Sequence, residues 1–478
     1  MNRACAIAAA AVLLLTLGAP AHAARSSLAR DEFAWPTAEQ CWRVFTLADY
    51  NTRIVVFGTA VLGAACGLVG SFLLLRRRAL MGDVLSHAML PGIALAYIVV
   101  TQAGGMGKAL PVLLVGGAAS GLAGVGVVLF LRRWTRLKED AAMGIVLSVF
   151  FGAGTALLGV VQQMRTGSAA GLETFVYGKA ASLALDDVWL ISAVAGGAVV
   201  LCLALFKELS LMCFDEGFSR ANGLPVDALD LALMALVVAV TVVGLQAVGL
   251  VLVIALLVIP PAAARFWTDH LPRLALASTA IGATSGLVGS AVSALFPRMP
   301  AGAVIVLVCS LCFVVSLVLG PARGIVPRVV EHARLVRRVA RQHLLRALFE
   351  CEEAAGAGEA GIPAEALLAK RSWSARELAG IAARERRAGR VRAASGGGWR
   401  LTDAGREEAK RYVRNHRLWE LYLIEHADVA ASHVDRGADH VEHVLGAELV
   451  ASLERILAER ARALPESPHA LVQGGAKA

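Results

Sequence analysis

Arg76-Arg77-Arg78-Ala79-Leu80-Met81-Gly82-Asp83-Val84-Leu85-Ser86-His87-Ala88-Met89-Leu90-Pro91-Gly92 is the stretch whose reading decides the fold. Long apolar runs flank it on both sides, so a carboxylate and an imidazole stand at or inside the edge of a bilayer. Asp83 and His87 are four residues apart, and on a helix that spacing puts both side chains on one face. A carboxylate oxygen beside an imidazole nitrogen suits a divalent transition metal such as manganese, iron or zinc. Ionisable groups at membrane depth are costly, and they line a pathway or pair with one another. The competing reading is local: Asp83 caps a helix and His87 bonds a carbonyl.

The remainder of the chain agrees with a membrane setting. Of 478 residues, 57% are hydrophobic, and the mean hydropathy is +0.64. Apolar segments at about 53–75, 88–103, 109–131, 141–163, 186–206, 229–245, 247–265, 274–295 and 301–320 predict nine transmembrane helices. Basic loops mark the cytoplasmic side: Arg76 to Arg78, Arg132 to Lys138, 207–230 and 265–273. Their alternation starts the spans outside and leaves residue 321 inside. Met1 to Ala23 reads as an export signal ending in Ala21-His22-Ala23, or as an uncleaved first helix, with 24–50 an external segment. The net charge of +9 favours anionic lipid or nucleic acid without choosing between them. Cys309 and Cys312 form a C-x-x-C inside an apolar run, where small side chains at a helix contact explain them better than redox chemistry. No phosphate-binding G-x-x-x-x-G-K-[ST] loop occurs, so ATP hydrolysis, if it drives this protein, belongs to a separate chain. The chain reads as a transporter subunit, not an enzyme.

The run LLRRRALMGDVLSHAMLPGIALAY resembles the signature of metal-type permeases of bacterial ABC importers. Val248-Gly249-Leu250-Val251-Leu252-Val253-Ile254-Ala255-Leu256-Leu257-Val258-Ile259-Pro260-Pro261 is similar to that family's second hallmark, and the resemblance covers about 48–325. It implies that Asp83 and His87 belong to the metal path, and that the permease needs no cofactor. Divalent manganese, iron or zinc is the expected substrate. It also implies a bacterial inner-membrane location and three partners: a cytoplasmic ATPase, an extracytoplasmic metal-binding protein, and a second permease copy or paralogue. The 207–230 loop, with Asp215, Glu216 and Arg220, resembles the family's loop after the fifth span. The loop carrying Arg265, Asp269, His270 and Arg273 is a candidate ATPase dock.

After residue 321 the composition turns charged. Helices at about 340–352, 362–368 and 374–389, a hairpin around Gly396-Gly397-Gly398, and a helix opening at Leu401 follow the order of a winged helix-turn-helix. Arg376, Arg384, Arg386 and Arg387 crowd the third helix, as a nucleic-acid surface, a lipid-headgroup surface or a plain solvated face. His416 and Glu420 are an i, i+4 pair; Asp439, Glu442 and His443 share a second helix face, with Asp435 a turn earlier. Such pairs by themselves are more often surface salt bridges. Residues 340–470 resemble the diphtheria-toxin-repressor type of metalloregulator, which implies ligand roles for His416, Asp439, Glu442 and His443. Two departures stand out: the first helix offers Gln342-His343-Leu344-Leu345-Arg346 without carboxylates, and Asp435 stands where some members have histidine.

The expected fold is thus an all-α polytopic membrane protein of about nine transmembrane helices with a cytoplasmic α+β winged-helix and helical metal-sensor-like domain. Its domains are 51–321 (permease), 322–400 (linker helix and winged helix), 401–470 (metal-binding and dimerisation) and a 471–478 tail. The expected function is a divalent-metal ABC permease with a metal-sensing tail. A membrane-anchored, metal-responsive DNA-binding transcription regulator is the alternative.

Overall fold

The structure, a computed structural model, describes residues 36–103, 110–164, 183–296, 299–355, 361–371, 373–394 and 397–426. The export-signal reading and the Asp435, Asp439, Glu442 and His443 cluster lie outside the described residues. The chain divides into two compact units, residues 1–317 and 318–478.

The first unit runs α1 (Ala38–Phe45), α2 (Tyr50–Leu75), α3 (Met81–Gln102), α4 (Leu110–Trp134), α5 (Glu139–Gln163) and α6 (Leu185–Ala204). It continues through α7 (Phe206–Phe214), α8 (Glu216–Ala221), α9 (Val226–Val248), α10 (Leu250–Ala264), α11 (Leu271–Leu295) and α12 (Ala301–Leu319). Among the described residues eight helices are long and apolar enough to cross a membrane, and α10 is a shorter apolar ninth. The segment at 247–265 falls short of a full span for a local reason. Gly249 adopts φ 87°, a left-handed conformation that favours glycine, and it divides α9 from α10.

α2 is the hub, with α11, α6, α10 and α9 packed around it, while α3 packs on α4 and α5. Hydrophobicity cannot hold apolar helices together in lipid, so close approach of small residues does that work. A Cβ on Gly63 would lie 2.3 Å from the Gly282 carbonyl oxygen, and one on Gly67 would lie 2.4 Å from that of Ser278. Ser278 Oγ donates to the Gly67 carbonyl (2.6 Å) and Thr59 Oγ1 to the Gly286 carbonyl (3.1 Å), so the seam is also hydrogen-bonded. Proline shapes the α10 contact. Pro261 has no N–H for the Leu257 carbonyl, and a Cβ on Gly70 would sit 2.1 Å from that oxygen. The carbonyl that the helix leaves unmatched thus faces an α2 position with no side chain.

α2 ends in a Schellman-type turn: Arg77 N–H donates to Leu74 O and Arg78 N–H to Leu73 O. Arg77 takes φ 59° there, a cost of about 1–3 kcal/mol for a non-glycine residue. This turn aims α3 so that it begins at Met81, earlier than its apolar pattern shows, and carries Asp83 in its first turn.

The second unit comprises α13 (Ile325–Ala355), α14 (Ala364–Lys370), α15 (Ala375–Arg387), β1 (Val391–Ala393), β2 (Trp399–Leu401) and α16 (Asp403–His426). Ser374 caps α15 in a capping box with Glu377. β1 and β2 pair antiparallel, Val391 opposite Leu401. Gly398 (φ 90°) serves the hairpin turn, where a Cβ would lie 2.2 Å from the Ile362 carbonyl oxygen. Leu344, Leu345, Leu348, Leu367, Leu378 and Val413 form the core of a winged helix.

Candidate functional site

On α3 the carboxylate and imidazole meet as their spacing requires. His87 Nε2 lies 3.4 Å from Asp83 Oδ1. Two donors each about 2.1 Å from one ion at the tetrahedral angle stand roughly 3.4 Å apart, so a single ion fits between them. Both side chains are partly exposed, and the ring of Phe151 on α5 meets the imidazole edge-on at 4.9 Å. Among the described residues His87 Nδ1, which is buried, has no hydrogen-bond partner, whereas a merely structural histidine would satisfy both nitrogens. Four residues on, Pro91 has no N–H to give the His87 carbonyl, leaving an oxygen of the same residue without its regular helical donor. Ser120 Oγ bonds the neighbouring Ala88 carbonyl at 2.6 Å, fixing α3 to α4 beside the pair. Among the described residues no group of three or more His, Cys, Asp or Glu converges. Two side-chain donors would hold an ion only briefly.

A second polar centre, not read from the sequence as a unit, forms where α2, α5, α8 and α9 meet. Arg78 is 2% exposed and Asp230 5%; Arg78 Nη1 donates to both Asp230 oxygens, at 2.6 and 2.8 Å. Arg78 also pairs with Glu139. Arg76 bridges Asp230 (3.1 Å) and Glu216 (3.2 Å), and Arg220 links Glu216 (3.1 Å) to Asp227 (2.8 Å). Burial works to raise the Glu216 pKa, but bonds from Arg220 and the charge of Arg76 hold it below the ordinary value. The signal was present: a basic triplet closing one apolar run and acids opening another. Arg76 and Arg78, taken for topology marks, are therefore structural ties as well. Arg76 holds α8 through Glu216, and Phe218 on that helix and Phe214 just before it stand exposed. In the 265–273 loop Arg265, Asp269, His270 and Arg273 are exposed, and Trp267 Nε1 donates to Ser316 Oγ at 2.9 Å, tying the loop to α12.

In the second unit His416 and Glu420 are 2% and 1% exposed, with Nε2 of His416 3.2 Å from Glu420 Oε1. Arg346 of α13 places Nη1 2.8 Å from His416 Nδ1 and donates from Nε to Glu350 at 2.7 Å. Arginine has donors only, so Nδ1 must accept, and the neutral ring then carries its proton on Nε2 toward Glu420. Neither nitrogen keeps a lone pair for a metal while Arg346 is in place. His416 and Glu420, as they stand, do not fit a metal ion; a guanidinium supplies the cation. Burial tends to raise the Glu350 pKa, yet Arg346 and Lys370 hold it below its ordinary value. Arg376, Arg384, Arg386 and Arg387 are all exposed on α15.

Comparison with known proteins agrees with this division. Residues 48–320 match the ABC 3 transport family, and residues 402–469 match the iron dependent repressor, metal binding and dimerisation domain. The manganese transport system membrane protein MntC of Bacillus subtilis is 36% identical over 395 residues, covering 82% of this chain and 88% of the relative. The zinc transport system membrane protein TroC of Treponema pallidum is 43% identical over 288 residues, 60% of this chain and 95% of the relative. Among solved structures, PsaBC from Streptococcus pneumoniae in complex with Fab is similar at a TM-score of 0.53 and 28% identity, covering 62% of this chain and 99% of that one.

Proposed function

The chain belongs to the ABC 3 transport family, and from that premise we propose that Asp83 and His87 form a transient stop for manganese, iron or zinc in the permease of an ATP-driven importer. The observation that carries the reading is the ion-sized 3.4 Å separation of His87 Nε2 and Asp83 Oδ1, on a ring whose buried Nδ1 has no hydrogen-bond partner among the described residues. An ion passing the bundle exchanges water for Asp83 Oδ1 and a His87 nitrogen, then leaves because two ligands hold it only briefly. Waters, or a second permease copy, complete its shell. The manganese and zinc systems named for the relatives support this substrate class.

The remaining partners follow from the same premise. A separate ATPase docks at the cytoplasmic face, for which α8 with Phe214 and Phe218, held by Arg76, and the loop of Arg265 to Arg273 are the exposed surfaces. An extracytoplasmic binding protein delivers the ion. The basic loops support a tail in the cytoplasm of a bacterial cell. There the metal-regulator domain reads internal metal through Asp435, Asp439, Glu442 and His443, while His416 and Glu420 serve as a structural pair.

Uptake of radiolabelled Mn²⁺, Fe²⁺ and Zn²⁺ in cells co-expressing the ATPase and binding protein tests the path. Loss of uptake in Asp83→Ala and His87→Ala at normal membrane abundance is expected; undiminished uptake overturns the assignment. Exposed arginines on a winged helix favour one second reading, DNA binding by the tail. It requires metal-dependent, salt-sensitive retention of duplex DNA by the full chain.

A further inference from the structure

The first half of α13 has two faces that neither the transport path nor the metal-regulator core uses. Ile325, Val326, Val329, Val330 and Val336 recur at helical spacing and are all exposed, from 40% to 56%. Arg334, Arg337, Arg338 and Arg341 follow at i, i+3, i+4 and i+7, which aligns them along one stripe. That stripe, with Arg384 and Arg390, lines an open cavity of about 430 Å³. The acids nearby are already engaged: Glu385 pairs with Arg390 at 2.6 Å, and Glu408 lies 3.5 Å from Arg341 and 3.6 Å from Arg390. Among the described residues Arg334, Arg337 and Arg338 have no acidic partner. Five residues, Gly320 to Gly324, separate the end of the apolar helix α12 from Ile325.

We propose that residues 325–341 are an anionic-lipid docking surface, with the valine face entering the headgroup boundary and the arginine groove taking phosphate-bearing head groups. A helix with an apolar face and a basic polar face lies in the plane of a bilayer surface. A basic cluster next to a membrane span meets the negative surface potential within a Debye length. Charge complementarity and chain continuity select this occupant over two others. A second copy would set unpartnered arginines against one another, and duplex DNA offers phosphate but nothing for five exposed aliphatic side chains. Orientation in the cell does not enter the test, because both leaflets of a nanodisc can be given one composition.

The full chain, one copy per nanodisc, is placed in phosphatidylcholine with or without phosphatidylglycerol, and amide exchange over 325–341 is followed by mass spectrometry. Exchange several-fold slower with phosphatidylglycerol, reversed by raised salt, is expected. The triple variant Arg334→Gln, Arg337→Gln and Arg338→Gln should lose the lipid dependence while exchange over 344–349 stays unchanged. Should that core peptide also loosen, Val329→Asp in the wild-type arginine background gives the same reading from the apolar side. Equal exchange in the two lipids overturns the proposal. So does slowing that appears only with two copies per disc, or only on adding duplex DNA.

Discussion

Asp83–His87 and His416–Glu420 are the same motif: one acid and one imidazole, four residues apart on a helix. Their chemistry is opposite. His87 keeps a buried nitrogen with no partner among the described residues, whereas both nitrogens of His416 are occupied, one by Arg346 and the other by Glu420. The first pair is partly exposed on α3, and the second lies within the tail's core. What separates the proposed ion stop from the buried structural network is the third group, and that group is far away in sequence: Arg346 stands 70 residues from His416. A carboxylate–imidazole spacing therefore identifies a candidate, and the neighbour that supplies or withholds positive charge decides its use.

The contrast is most directly broken at His87. Asp83→Ala and His87→Ala should each lower metal uptake by more than about tenfold, the scale on which even outer-shell partners of a metal act. Retained uptake would make both pairs structural. The next largest effect is expected at Arg346. Arg346→Met takes the guanidinium from buried His416 and leaves Glu350 to Lys370 alone, a loss of about 1–3 kcal/mol, read as faster amide exchange along α16 in the full chain. It also frees His416 Nδ1. Metal stoichiometry measured on the purified protein should then rise and come to depend on His416, whereas His416→Ala in the wild-type background leaves it unchanged. A wild-type stoichiometry that falls on His416→Ala would show that Arg346 does not close the site.

A smaller effect sharpens the membrane side. A Cβ on Gly92 would lie 2.1 Å from the Gly116 carbonyl oxygen, so Gly92→Val must push α3 off α4 one turn beyond His87. An overpacking cost of about 1–3 kcal/mol with uptake reduced more than membrane abundance is expected. Equal falls in both would mean that the turn matters only for folding. The smallest effect is on pH. Glu350 is ionised with a folded pKa below its usual 4.5, so its contribution is complete above that value and lost as the pH falls through the lowered one. Thermal unfolding of the tail should lose stability on that acid limb, and Arg346→Met should flatten it.

How much was legible follows from the type of force involved. The apolar segments, the basic loops, and the order of helices and hairpin in the tail were readable, because bilayer length, the positive-inside bias and local turn chemistry act over a few residues. The extent of α13 was not. Its first half pairs exposed valines with arginines, a pattern that reads as linker until the helix continues through it without a break. The early start of α3 was hidden as well, because it rests on a left-handed Arg77 held between ion-paired neighbours.

By itself the sequence determined the membrane class, the candidate pairs and the presence of a soluble regulator-like tail, since composition and spacing survive without a fold. Only the tertiary structure decided, among the described residues, which pair keeps a free nitrogen, which arginines tie helices and which remain unpaired. Those outcomes depend on residues such as Asp230 and Arg346 arriving from elsewhere in the chain, and the energy of a charge is set by what surrounds it in space.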